Sequence, residues 1–313
     1  MACEAVVELD AVHRSFGDVV ALDGLTLRAD AGTVTVLLGP NGAGKTTAVR
    51  MITGALPAES GVVRVFGMDP TVDGEAVRMR CGVVAAKPAL YDRLSGYDNL
   101  RYSAELHGLG RDAPIEASAA RFGIDDALRL RVAGYSTGMK TRLALARSVL
   151  HDPDLLLLDE PTSGLDPESA HAVLGLIDEL ASAGKTVVMC THLLLEAEGL
   201  ADQVVMLEAG RDLVAGTPAE LVQRYWPHPT VVVEADGDAL AGAAMLAGVQ
   251  GCERNGKGTV VTLDSLERVP DLVAALVAGG ARIRRVTPHE PSLEELYFAV
   301  RRQSAARDPA AAR

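Results

Sequence analysis

At 313 residues, with 48% hydrophobic and 23% charged residues, the chain has enough apolar material for a large core and two domains, which excludes a disordered polypeptide. A net charge of −12 excludes a broad nucleic-acid-binding surface, which needs clustered Lys and Arg. No apolar run approaches the ~20 residues that span a bilayer, so any membrane role is expected to come through a partner. The acidic start Met1-Ala2-Cys3-Glu4 does not read as a signal peptide. Cys3, Cys81, Cys190 and Cys252 are too scattered for a metal knuckle or a redox pair and read as reduced thiols.

In chain order, Val6–Leu9 and Leu25–Arg28 read as strands of a small antiparallel sheet joined through Phe16-Gly17-Asp18. Phe16 has two readings, a core ring or a face on which a purine stacks. Val34–Leu38 reads as a buried strand. It leads into Gly39-Pro40-Asn41-Gly42-Ala43-Gly44-Lys45-Thr46-Thr47, which fits G-x-x-x-x-G-K-[ST]. In such a loop backbone N–H groups surround phosphate oxygens, the lysine reaches the outer phosphates and the Thr46 hydroxyl is placed for Mg²⁺. A helix from Lys45 to Thr53 would point its positive end at the phosphates.

Further strands are expected at Gly61–Gly67 and Cys81–Val84, then a helical insert over about 88–148 whose last helix begins at Met139. Leu155-Leu156-Leu157-Leu158-Asp159-Glu160 reads as a parallel strand buried on both faces, with two carboxylates at the end where ligands bind in open α/β sheets. Asp166 and Pro167 suit an N-cap and first helical position. The buried strand Thr186–Cys190 ends at Thr191-His192, again at a carboxyl edge.

With Tyr135-Ser136-Thr137-Gly138-Met139 between the insert and the acidic strand, and Ser163-Gly164-Leu165-Asp166 after it, this ordered set closely resembles the ATP-binding subunit of an ABC transporter. The resemblance covers residues 4 to about 225. It implies a P-loop NTPase α/β core with a small antiparallel β subdomain and a helical insert, binding ATP and Mg²⁺. By resemblance, Asp159 holds Mg²⁺ with Thr46, Glu160 polarises the attacking water, and His192 orients it and steadies the charge, while Lys45 reaches the β- and γ-phosphates as a catalytic residue. Ser136 and the backbone at Gly138, in a variant of the family signature, face the γ-phosphate of a second subunit, so complete sites need a homodimer or heterodimer, and Asp166 counts among the nucleotide-binding residues. Where the family has a glutamine, the register puts Ala86, beside Lys87. This leaves open slow hydrolysis or unusual coupling, and with them a reading as an ATP-gated dimerisation module. Leu90, Tyr91 and Leu94 lie where the family meets its membrane permease, though half-buried core positions account for them equally. The resemblance places the chain on the cytoplasmic face of the membrane, held there by the permease.

Trp226-Pro227-His228-Pro229 reads as a linker. Beyond it, expected elements at Thr230–Glu234, Ala239–Leu246, Val249–Glu253, Gly258–Leu263, Val269–Ala278 and Arg282–Val286 give βαββαβ, a ferredoxin-like α+β domain over 226–302. It reads as a packing, dimerisation or regulatory-ligand module. Glu290–Leu296 resembles the end of ATPases serving ABC-2-type exporters of the drug-resistance group. A tail over 303–313 is expected to be disordered.

Overall fold

The computed structural model describes residues 4–236, 243, 246–255 and 258–307. The chain forms two compact units, 1–218 and 219–313. The division falls ahead of the expected linker at Trp226, because the helix that precedes Trp226 is held with the second unit.

The first unit opens with a hairpin, β1 (Ala5–Phe16) and β2 (Val19–Asp30), longer than the two short strands expected. Register shifts between Leu9 and Val12 and between Arg14 and Ser15 break the strict alternation that would reveal one long strand in sequence. β3 (Val34–Leu38) precedes the phosphate loop, and α1 (Lys45–Ile52) follows it. β4 (Ser60–Val65) completes a three-stranded antiparallel sheet in the order β2-β1-β4.

α2 (Gly74–Met79) and β5 (Cys81–Val84) lead to the helical insert: α3 (Gly96–Leu106), α4 (Ile115–Arg121) and α5 (Thr137–Val149). α5 starts two residues before the expected Met139, since Ser136 Oγ accepts from the Met139 amide at 3.2 Å and so caps it. β6 (Leu155–Asp159), α6 (Pro167–Ser182), β7 (Thr186–Thr191), the short α7 (Leu194–Ala197), β8 (Gln203–Glu208) and β9 (Arg211–Gly216) finish the unit. The larger sheet runs β5-β6-β7-β3-β8-β9, parallel except for β9 at the edge.

β3, β6 and β7 are buried at every position, as their unbroken apolar runs require in a sheet covered on both faces. One core joins the two sheets: Leu9, Leu22 and Leu25 pack with Met51 and Ile52 of α1 and with Leu157 and Val188. Each fully buried leucine contributes about 1.5–3 kcal/mol. Together they clamp α1, and with it the loop at its start, against the carboxyl ends of the strands.

In the second unit α8 (Pro218–Tyr225) precedes a four-stranded antiparallel sheet ordered β11-β12-β10-β13. The strands are β10 (Thr230–Asp236), β11 (Val249–Asn255), β12 (Gly258–Leu263) and β13 (Arg282–His289). α9 (Val269–Ala278) packs Leu272 and Leu276 on Val231, Val233, Val261 and Leu263. Strand order is that of the expected ferredoxin-like domain, while the helix expected at Ala239–Leu246 lies almost wholly outside the described residues. α10 (Leu293–Arg307) corrects the expected disordered tail: Gln303 to Arg307 are helical, continuing an alanine-containing run that favours helix, and 308–313 lie outside the described residues. Among the described residues no helix is long and apolar enough to cross a membrane.

Candidate active site

The phosphate loop is shaped by contacts that only glycine permits. A Cβ on Gly39 would run into the Leu207 carbonyl. Gly44, at φ 108°, would meet Leu22 Cδ2 at 2.6 Å and the Ala21 carbonyl at 2.7 Å. The loop is thereby pressed between the β2 hairpin strand and the end of β8. It opens on a cavity of about 400 Å³ lined by residues 41–47, Phe16, Val19, Val20, Ala86 and Glu160.

Lys45 sits under this cavity with its side chain 6% exposed. Its ammonium donates to the carbonyl oxygens of Gly39 at 2.7 Å and Pro40 at 3.3 Å, and lies 3.2 Å from Glu160 Oε1. The last approach is close enough for charge pairing but lacks hydrogen-bond alignment, and Glu160 Oε1 is otherwise without a partner. The other oxygen, Oε2, is 2.6 Å from His192 Nδ1, which donates to it. Lys45, Glu160 and His192 thus form one chain of polar contacts linking α1 to the ends of β6 and β7.

Beside them, Thr46 Oγ1 donates to Asp159 Oδ2 at 2.7 Å. Asp159 is 3% exposed and its Oδ1 is buried with no partner. Burial raises its carboxyl pKa, partly offset by the Thr46 hydrogen bond.

Glu160 holds a left-handed backbone, φ 52°, fixed by its amide donating to the Cys190 carbonyl at 2.8 Å. Such strain in a non-glycine residue persists only where the surroundings over-determine it, and it turns the carboxylate from the strand direction toward the loop. Sequence carries no sign of this angle. Thr191, also missed as a functional position, supports the next turn: its hydroxyl accepts from the Leu193 amide and donates to Glu196.

Phe16 is 45% exposed at the cavity mouth, with the Arg14 guanidinium 5.1 Å from its ring centroid, so of its two readings the core one falls. Val19 and Val20, exposed and apolar beside it, extend the same wall and were not singled out from sequence. Ala86 lines the cavity with only a methyl group to offer, and Lys87 is exposed.

Ser136, Gly138 and Asp166 do not line this cavity. Ser136 is exposed at the start of α5, Gly138 faces Ser169 and Leu165, and Asp166 caps α6 by accepting from the Ser169 amide at 2.9 Å. That cap lowers the Asp166 pKa. The signature turn thus adds no residue to the cavity on which the phosphate loop of the same chain opens.

A family model described as ABC transporter matches residues 22–163, and one described as the C-terminal domain of DrrA1-3-like ATP-binding proteins matches residues 216–300. The daunorubicin resistance ATP-binding protein DrrA3 of Streptomyces coeruleorubidus is 37% identical over 302 residues, spanning 94% of this chain and 95% of that one. The Nod factor export ATP-binding protein I of Cupriavidus pinatubonensis is 33% identical over 304 residues, spanning 95% and 91%. A solved ATP-binding subunit of an ABC transporter superimposes with a TM-score of 0.64 at 27% identity, covering 71% of this chain and 93% of its own. A phosphate loop and Glu160 of an acidic strand end lining one cavity, with His192 held against that glutamate, in a chain aligned almost end to end with such relatives, make this protein a member of the ABC-transporter ATP-binding subunits, an ATPase coupled to transport.

Proposed function

We propose that the chain powers export of drug-like or hydrophobic compounds through a separate membrane permease, and that it does so as a dimer sandwiching two ATP molecules. The export direction is supported by relatives named for daunorubicin resistance and Nod factor export. The dimer is supported by one observation above others: the signature turn at Ser136 is exposed and contributes nothing to the lining of the phosphate-loop cavity of its own chain. Exposed Tyr91 and Leu94 suit a permease contact rather than a core, and through it the chain would sit on the inner face of the membrane.

In hydrolysis a water oxygen bonds to the γ-phosphorus as the bond to the β–γ bridging oxygen breaks, releasing ADP and phosphate. Lys45 exchanges its Glu160 contact for phosphate oxygens, which leaves the Glu160 carboxylate free to accept the proton of that water. His192 keeps the carboxylate oriented through its 2.6 Å contact. Mg²⁺ fits the donors at hand: the orphaned Asp159 Oδ1 and the Thr46 hydroxyl are a hard oxygen pair. Among the described residues no group of three His, Cys, Asp or Glu could hold a metal alone, so phosphate and water must complete the shell. When bound, the ion neutralises charge building on the phosphate oxygens.

Ala86 supports a second reading, a slow ATP-gated clamp, because its methyl group cannot position the water. Ala86→Gln is expected to raise turnover by about tenfold, the scale of one added hydrogen bond in the transition state. Phosphate release is measured for the chain alone and with its permease in proteoliposomes. Stimulation by the permease and transport that stops with Glu160→Gln support energy coupling, whereas turnover indifferent to the permease supports the clamp.

A further inference from the structure

The second unit has a cavity of its own, about 340 Å³, on the sheet face opposite its core. Alternation along β10 sends Val231 and Val233 into that core and leaves Thr230 and Val232 on the other side. There they stand beside Thr262 and Val260 of the neighbouring β12, with Glu253 of β11 next in line. At one end Trp226 closes over His289, ring centroids 6.1 Å apart, and His289 Nε2 lies 3.0 Å from Glu295 Oε1.

Three observations define what this cavity takes. Two carboxylates, Glu253 and Glu295, line it, and no Lys or Arg does. Among the described residues the Glu253 carboxylate has no hydrogen bond or ion pair. Thr230, a lining residue, is 8% exposed, and its buried hydroxyl has no partner. An indole and two valines supply the apolar floor and a negative ring face.

We propose that this is a binding site for a small organic ammonium ion bearing one aromatic ring. The cation pairs with Glu253 and lies toward the Trp226 face, its N–H groups satisfy the Thr230 oxygen, and its ring rests on Val232 and Val260. The cavity lies at the small end of ligand-pocket sizes, which fits a ligand of this class. The site gives the accessory domain a chemical input, which the ATP site does not require.

Trp226 is the only tryptophan in the chain, so its fluorescence reports on this cavity without labelling. The nucleotide-free protein is titrated with 4-phenylbutylamine, 4-phenylbutyrate and 4-phenylbutanol; lacking nucleotide, the experiment stands apart from the ATP reading. A saturable change is expected with the amine, with affinity about tenfold above that for the alcohol and the acid, the scale of one part-exposed ion pair. Glu253→Gln, an exposed strand position, is expected to weaken the amine about tenfold and leave the alcohol unchanged. No saturable amine response, equal binding of the acid, or an unaffected Glu253→Gln variant would overturn the proposal. So would fluorescence that follows protein concentration and not the amine, which would mean a second copy covers this face.

Discussion

Replacing Lys45 with alanine is expected to lower ATP turnover by about 10²–10³-fold, the cost of removing one preorganised charge from a transferring phosphoryl group. The geometry adds a second consequence. In the nucleotide-free protein this ammonium already lies among the Gly39 and Pro40 carbonyls and Glu160, so its loss leaves a largely buried carboxylate beside the unpaired Gly39 carbonyl, while the Pro40 carbonyl keeps its bond from the Ala43 amide. The phosphate loop should therefore loosen before any nucleotide arrives, and equilibrium binding of a fluorescent ATP analogue should fall along with turnover. Lys45→Arg will not rescue either, because a forked guanidinium does not fit a niche where the side chain is 6% exposed. Unchanged turnover in Lys45→Ala would remove this cavity as the site of hydrolysis.

Asp159→Asn should separate catalysis from stability. Turnover is expected to fall by about 10²-fold or more as the oxygen donors of the proposed Mg²⁺ site weaken. The metal-free, nucleotide-free fold should at the same time become more stable near neutral pH. Burial raises the Asp159 pKa above its unfolded value, so the stability that the carboxyl contributes is fully present below the unfolded value and lost as pH rises through the raised native one. Asparagine suffers no such loss. Thermal unfolding in a chelating buffer at pH 4, near the ordinary carboxylate value, and at pH 8 checks the sign: the variant should gain on the native chain at the higher pH. A midpoint that drops at pH 8 would show that Asp159 holds the apo fold together.

The site was legible in sequence wherever the chemistry demands a fixed residue at a fixed spacing. The phosphate loop and the Asp159-Glu160 strand end stand out because a strand buried on both faces must be apolar at every position until the ligand edge. What joins them was not legible. The contact chain from Lys45 through Glu160 to His192 depends on a left-handed φ at Glu160 that its residue type disfavours. Phe16 stays ambiguous in sequence because apolar rings are used both ways, and only its exposure beside Val19 and Val20 separates the two uses.

Where the fold departs from the sequence pattern, the causes are similarly local. Bulges hid the length of β1, a serine cap moved the start of α5, and an alanine-containing stretch carried α10 past Gln303. The strand order of the second unit was legible from its βαββαβ pattern, but its cavity was not. Trp226, Glu253, His289 and Glu295 are scattered along the chain and meet only once β11, β12, β10 and β13 lie side by side.

Sedimentation of the Glu160→Gln variant with and without saturating ATP-Mg²⁺ tests the shared site most directly. With the carboxylate proposed to activate water gone but Lys45 and Thr46 intact, nucleotide should drive the protein from monomer to dimer, and Ser136→Arg in the same background should return it to monomer. A Glu160→Gln chain that binds ATP and stays monomeric, or a dimer indifferent to Ser136→Arg, would contradict a site built from two copies.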